Sequence, residues 1–353
     1  MMIDPPKSLG SLPTPEYTPI NTPSASPINA TFGINSVTTP LVIGITGSAG
    51  LVGTCLVELA LDQGHTVLAM DIVDPNHQST ILPDHLKLSE KGYTYKQISS
   101  LDYEDYKKAC KESHCNSLVH LAMIPNGPDV DGRSITGGSK SQNEVHNANV
   151  SMSYNTLSIA AELGINRVVL ASSVNAIGML FSKSTTFDYL PLDERHPCRP
   201  EDAYSLSKYF CELQSDSFVR KHPSLRVASL RFHGVVRPES VNRKSLIELG
   251  GERKDLWGWV SSLSVSRACL AGLTSPTNRF NEGSHETFFI VAPTICQQRS
   301  TMDLLNEYYP DIVKEGKIRG LIRGNQGLFD CSKAKRMLDW SEEGFYWDED
   351  VKD

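Results

Sequence analysis

Apolar and polar residues follow one another along most of the chain in the pattern of strands that alternate with helices. Short apolar runs predict buried strands, and apolar residues at helical spacing predict amphipathic helices. The predicted strands are 41–46, 66–71, 93–98, 117–121, 167–171 and 225–230, and the predicted helices are 51–63, 103–112, 143–163 and 202–221. This alternation predicts an α/β fold, a doubly wound parallel sheet with helices on both faces.

The alternation weakens after residue 231. The elements predicted beyond this point are helices at 265–273, 301–309 and 332–338 and a strand at 287–291. We therefore expect residues 41–231 to form a large domain and residues 232–353 to form a smaller α+β lobe that binds the substrate. Two polar stretches, 125–142 and 181–199, are long enough to form walls of a binding site.

Residues 1–40 differ in composition from the rest of the chain. They hold eight of the 20 prolines and eleven serines and threonines, with few large apolar residues. Such a segment cannot bury enough apolar surface to offset its ordering entropy. We expect a disordered Pro/Ser/Thr-rich tail.

Composition excludes several classes of function. The net charge of −7 over 353 residues provides no basic surface for nucleic acid. No apolar run approaches the roughly 18 residues of a membrane helix. The eight cysteines are dispersed, which indicates a reducing compartment, and we expect a cytoplasmic protein without a metal site.

A glycine-rich turn joins the first predicted strand to the first helix. Glycine at three positions would let backbone N–H groups approach a pyrophosphate, and a helix N-terminus favours the anion. The turn therefore predicts a Rossmann-type dinucleotide site. Its predicted cofactor-binding residues are Gly47, Ala49, Gly50, Leu51, Val52 and Gly53.

Asp71 ends the second predicted strand, 18 residues after Gly53. A carboxylate at this position can accept hydrogen bonds from both hydroxyls of the adenine ribose and repels a 2′-phosphate. This favours NAD over NADP as the cofactor. Asp74 lies close enough in the sequence to be an alternative to Asp71.

Tyr204 and Lys208 lie four residues apart on one predicted helix, so their side chains leave the same face. A free tyrosine has a pKa near 10. A nearby ammonium and a positively charged nicotinamide both favour the phenolate, so we expect Lys208 to lower this pKa. Ser173 follows a predicted strand and can hydrogen-bond the same substrate oxygen.

These motifs together resemble the extended short-chain dehydrogenase/reductases, specifically the NAD-dependent epimerase/dehydratase group. The resemblance covers residues 41–340. The motifs that carry it are Thr-Gly-Ser-Ala-Gly-Leu-Val-Gly at 46–53, Val-His-Leu-Ala at 119–122, Asn149, Ala-Ser-Ser-Val-Asn-Ala-Ile-Gly at 171–178 and Tyr204-x-x-x-Lys208.

The resemblance implies a role for each matching residue. Tyr204 would be the catalytic acid/base, Lys208 would also bind the nicotinamide ribose, and Ser173 would orient the reacting group. Asn149 would help hold a proton relay. Leu121, Ala122 and Met123 would line the cofactor, and Ser99 would replace the aspartate that usually contacts adenine.

Three functions stay open at this point. The first is oxidation of a sugar or sugar acid, as in the uronate dehydrogenases that the 171–178 turn and the 253–257 segment resemble. There a cation at Arg253 or Lys254 could bind a carboxylate, while Asn175 and His233 would contact substrate. The second is epimerisation of a nucleotide sugar with tightly bound NAD. The third is a catalytically silent NAD-sensing regulator. Relatives also imply a homodimer formed through the helices at 143–163 and 202–221.

Overall fold

The structure is a computed structural model, and it describes residues 40–73, 92–126, 139–237 and 251–342. Most of the predicted tail, the alternative aspartate Asp74 and much of the 125–142 stretch lie outside these ranges.

A seven-stranded sheet forms the centre of the described chain, and all of its strand pairs are parallel. Its strands are β1 Val42–Thr46, β2 Thr66–Asp71, β3 Tyr93–Gln97, β4 Ser117–His120, β5 Arg167–Ser173, β6 Arg226–Phe232 and β9 His285–Ile290. Their order is β3-β2-β1-β4-β5-β6-β9. The predicted Rossmann-type α/β sheet is confirmed.

Helices cover both faces of this sheet. They are α1 Leu51–Asp62, α2 Tyr103–Glu112, α3 Gln142–Leu163, α4 Ala203–Lys221, α5 Ser262–Thr274 and α8 Ser332–Leu338, while α6 Thr301–Tyr308 and α7 Pro310–Lys314 pack in a third buried cluster. Apolar residues of α1, α5 and α8 form one buried cluster with the sheet, and those of α2, α3 and α4 form another on its opposite face. Both faces of the strands are therefore buried, which explains their continuous apolar runs.

Local signals fix where the two central helices begin. Ser141 and Glu144 form a capping box at the start of α3, and α3 ends at Gly164 with φ 69°. The Asp202 side chain accepts a hydrogen bond from the Ser205 N–H at the start of α4. This cap places Tyr204 in the first turn of α4.

The C-terminal region differs in part from its predicted form. Its strand β9 pairs with β6 and so extends the main sheet. The sequence did not predict the short parallel pair of β7 Val235–Val236 and β8 Val260–Ser261, nor helix α7. The division between residues 41–231 and 232–353 into domain and lobe stays a prediction.

The strand order reverses at β1, which lies between β2 and β4. Connections from neighbouring strands leave in opposite directions at such a point and open a crevice at the carboxyl ends of the strands. The glycine-rich turn follows β1, and the segment that begins at Leu121 follows β4. The fold therefore brings these two predicted cofactor segments to one crevice.

Candidate functional site

The turn after β1 requires glycine for steric reasons. Gly47 has φ +73°, and a Cβ added there would lie 2.6 Å from the Ala122 nitrogen. A Cβ at Gly53 would lie 2.2 Å from the Gly47 carbonyl oxygen. The first helix therefore packs directly against the turn, and the turn against the backbone that follows β4. Gly50, the residue before α1, provides no side-chain cap, which leaves N–H groups at this helix terminus for an anion.

Asp71 lies against this turn at the end of β2. Its Oδ2 accepts a hydrogen bond from the Ala49 N–H at 3.0 Å, and its Oδ1 accepts one from the Val73 N–H at 3.3 Å. These contacts hold the carboxylate at the edge of the crevice. The position fits an acceptor for ribose hydroxyls.

A cavity of about 400 Å³, the glycine-turn cavity, opens beside the turn. Most of the predicted cofactor-binding residues line it. These residues are Gly47, Ala49, Gly50, Asp71, Ser99, Leu121, Ala122 and Met123. Val52 lines the neighbouring cavity instead, and neither cavity includes Leu51 or Gly53 among its lining residues.

A second cavity of about 300 Å³, the tyrosine cavity, holds the predicted catalytic residues. Leu121 and Met123 line both cavities, so the two adjoin. The predicted residues that line the tyrosine cavity are Val52, Ser173, Asn175, Tyr204, Lys208 and His233. Side chains from the ends of β5 and β6 and from the start of α4 thus meet beside the glycine turn.

Tyr204 is half-buried in this cavity, and burial raises its pKa to about 12, while a hydrogen bond with Ser173 acts to lower it. Lys208 is buried, its Nζ donates to the Ala171 carbonyl oxygen at 2.7 Å, and burial lowers its pKa. This Nζ lies 5.6 Å from the centre of the Tyr204 ring. In this structure burial is the largest influence on the phenol, and the lowering of its pKa by Lys208 together with a bound nicotinamide stays a prediction.

Ser173 is oriented by its own neighbours. Its Oγ accepts a hydrogen bond from the Asn175 N–H at 3.1 Å and lies 3.4 Å from the Asn175 Nδ2. The Asn175 Oδ1 in turn accepts from the Leu180 N–H at 2.9 Å. With its lone pairs occupied by these donors, the Ser173 hydroxyl is left to donate toward the tyrosine or a substrate oxygen.

Asn149 holds the segment after β4 rather than the reacting groups. Its Oδ1 accepts from the Ile124 N–H at 2.7 Å, and its Nδ2 donates to the Ile124 carbonyl oxygen at 2.9 Å. Both polar atoms of the Asn149 amide are thus hydrogen-bonded to the backbone of Ile124. Its role in a proton relay stays a prediction.

His233 and Arg253 have different surroundings. His233 is buried, its Nε2 donates to the Asp255 carbonyl oxygen at 2.8 Å, and its Nδ1 accepts from the Gly234 N–H at 2.6 Å. Burial lowers its pKa, which agrees with a neutral ring. Arg253 is exposed and lines neither cavity. The structure therefore does not bring Arg253 to the site, and its binding of a carboxylate stays a prediction.

Asp255 and Phe181 line the tyrosine cavity, and neither was singled out from the sequence as a site residue. The Phe181 ring meets the Tyr204 ring edge-on, with 5.7 Å between centroids. Phe181 begins the 181–199 stretch that was predicted as a wall. Asp255 follows Arg253 and Lys254, and a single aspartate beside two basic residues matches no motif.

The model of the NAD dependent epimerase/dehydratase family matches residues 43–247, more than half of the chain. The chain belongs to the NAD dependent epimerase/dehydratase family. The resemblance inferred from the motifs is confirmed, and the cofactor of this family is NAD. The close approach between Gly47 and Ala122 fits this cofactor, because a side chain at residue 47 would strike the Ala122 backbone and push apart two segments that line the glycine-turn cavity.

Individual relatives are distant. A dTDP-6-deoxy-L-talose 4-dehydrogenase (NAD(+)) from Aggregatibacter actinomycetemcomitans is 26% identical over 56% of this chain and 63% of its own. The chain thus spans less than two thirds of that relative's length. A UDP-glucose 4-epimerase with UDP-glucose from Thermotoga maritima has a TM-score of 0.60, with 17% identity over 86% of this chain and 94% of that chain. A mutated uronate dehydrogenase has a TM-score of 0.53, with 20% identity over 86% and 82% of the two chains. The two structures show a common fold.

Two further observations concern the described residues only. None of their helices combines the length and the apolar composition that crossing a membrane requires. They also contain no group of three or more His, Cys, Asp or Glu side chains that could hold a metal ion.

Proposed function

We propose that this enzyme oxidises a hydroxyl of a sugar or nucleotide sugar by hydride transfer, with Tyr204 as the acid/base. The observation that carries the proposal is the adjoining position of the two cavities, which share Leu121 and Met123. One cavity has the backbone cradle for a dinucleotide, and the other holds the phenol, the serine and the lysine. A hydride acceptor and a proton acceptor would thus face one substrate carbon.

The proton is handled by the chain's own residues. Tyr204, as the phenolate, accepts the proton of the substrate hydroxyl, and Ser173 donates a hydrogen bond that favours the phenolate. Lys208, held by the Ala171 carbonyl, keeps a positive charge beneath the site. NAD, when bound, supplies the hydride acceptor and the positive charge of its ring. Because the base must be deprotonated, the rate of oxidation should increase with pH.

The substrate class is supported by the relatives, whose names include a dTDP-sugar dehydrogenase and UDP-glucose 4-epimerases. Arg253 lies away from the tyrosine cavity, which removes one support for a sugar acid. Epimerisation with retained NAD is the second candidate, favoured by the structural likeness to the Thermotoga enzyme.

A substrate panel tests the proposal. Purified protein is incubated with NAD and with free sugars, sugar acids, UDP-sugars and dTDP-sugars, while NADH absorbance is followed and the products are separated by chromatography. Stoichiometric NADH indicates a dehydrogenase, and a new sugar without net NADH indicates an epimerase. If NAD binds but neither the wild type nor Tyr204→Phe converts any of these compounds, the protein is better described as an NAD-sensing regulator.

Self-association through α3 and α4 is also proposed. The two helices expose large apolar side chains, namely Tyr154, Phe210 and Leu213. An apolar surface of this kind is stabilised when a second copy covers it. Light scattering should report a dimer for the wild type and a monomer for Phe210→Asp; a monomeric wild type would contradict the proposal.

A further inference from the structure

We propose that Asp255 determines the specificity of the tyrosine cavity: its carboxylate accepts hydrogen bonds from a neutral, hydroxylated sugar ring and disfavours a sugar acid. This inference rests on the proposed function and names the class of substrate for the same site. Asp255 lines the tyrosine cavity with Ser173, Tyr204 and His233.

The two oxygens of this carboxylate have different roles. Oδ1 accepts hydrogen bonds from the Glu252 N–H and the Trp257 N–H, each at 3.0 Å, and so holds the turn. Oδ2 accepts none from the described residues. A carboxylate with one oxygen fixed and the other unoccupied is already oriented for a ligand donor, which reduces the entropy lost on binding.

The backbone around Asp255 is held in an unfavourable conformation. Leu256 and Trp257 both have positive φ, 59° and 55°, which costs each of these bulky residues about 1–2 kcal/mol. His233 donates to the Asp255 carbonyl oxygen, and a Cβ at Gly258 would lie 2.6 Å from the His233 ring. Strain of this kind persists where the surroundings impose it and is concentrated at ligand sites.

The charges around the cavity favour a neutral ligand. Among the described residues that line it, Lys208 is the cation, and its ammonium donates to the Ala171 carbonyl oxygen beneath the phenol. Lys254 donates instead to the Ser182 carbonyl oxygen at 2.6 Å. Within the described chain, a substrate carboxylate would therefore meet Asp255 without a guanidinium to offset the repulsion. Sugar hydroxyls, in contrast, donate readily to a carboxylate.

Binding measurements test this inference without depending on turnover. In the Tyr204→Phe protein with NAD, calorimetry would compare UDP-glucose with UDP-glucuronate, and galactose with galacturonate. The two members of each pair differ at one carbon, which carries a neutral CH₂OH group in the first and a carboxylate in the second. We expect the neutral member to bind at least about tenfold tighter, and Asp255→Asn to reduce that ratio by about tenfold, the effect of one hydrogen bond to a charged group.

Two variants distinguish a role of Asp255 in ligand binding from a purely structural role. Asparagine retains an oxygen that can accept the two N–H groups of the turn, so a purely structural Asp255 would leave the ratio unchanged. Glu252→Gln removes the same charge from an exposed residue of this turn that does not line the cavity, and it should also leave the ratio unchanged.

Several results would overturn the inference. The first two are that the Tyr204→Phe protein binds the acid as tightly as the neutral sugar or more tightly, or that it binds neither pair. The other two are that the ratio of the two affinities is unchanged in Asp255→Asn, or that it changes equally in Glu252→Gln. The first two need no Asp255 variant and hold even if that variant does not fold. Failure of the proposed function would instead appear as a wild type that binds a sugar and NAD but never exchanges hydride.

Discussion

Replacing Gly47 with alanine separates backbone strain from direct interference with the cofactor. Gly47 and Gly64 both have positive φ, +73° and +79°. An L-residue in this conformation costs about 1–2 kcal/mol. A Cβ at Gly47 would lie 2.6 Å from the Ala122 nitrogen and 2.8 Å from the Leu121 carbonyl carbon, whereas a Cβ at Gly64 has nothing within 4 Å. The two substitutions therefore share the strain and differ in the contact.

We expect Gly64→Ala to lower the free energy of unfolding by about 1–2 kcal/mol and to leave NAD affinity within about twofold. Gly47→Ala should be destabilised further, because the backbone after β4 must move away. It should also weaken NAD binding at least about tenfold, which corresponds to roughly 1.4 kcal/mol, because this backbone lines the glycine-turn cavity.

Urea unfolding and calorimetric titration with NAD measure the two effects on the same samples. The reasoning would be refuted if Gly47→Ala bound NAD like the wild type. It would also fail if Gly64→Ala lost NAD affinity to the same extent, since strain alone would then explain the loss.

Two other predictions concern charge. Asp71→Asn should reduce the preference for NAD over NADP by about tenfold, because the carboxylate that repels a 2′-phosphate is lost; paired calorimetric titrations measure this ratio, and an unchanged preference would assign the selection to another residue. His120 is buried, and burial, with Lys208, lowers its pKa to about 3, below the unfolded value of 6.5. The unfolded chain therefore takes up a proton as pH decreases below 6.5, so stability is lost from there down toward pH 3. Between pH 6.5 and 5 the free energy of unfolding should decrease by about 2 kcal/mol more in the wild type than in His120→Gln, and parallel urea curves at the two pH values would contradict this.

The sheet was predictable because both of its faces are buried. Strands such as β2 and β5 contain four consecutive buried apolar residues, and the Asp202 cap marks the start of α4. The short β7–β8 pair was not predictable, because two residues on each strand leave no periodic pattern.

The site was predictable where chemistry follows a fixed spacing, as for Tyr204 and Lys208. It was not predictable where contacts join distant segments. The Lys208 ammonium donates to the Ala171 carbonyl oxygen, 37 residues away, a contact that the spacing along the helix does not reveal. Asp255 lines the cavity beside His233, 22 residues earlier, whose Nε2 donates to the Asp255 carbonyl oxygen.

The acid/base role of Tyr204 is tested most directly by the single-turnover rate of NADH formation at saturating NAD and accepted substrate. Tyr204→Phe removes one hydroxyl and keeps the ring that packs on Phe181. The rate should decrease by about 10²- to 10⁴-fold, while the dissociation constant of NAD changes little. A phenylalanine variant that transfers hydride at the wild-type rate would contradict the account.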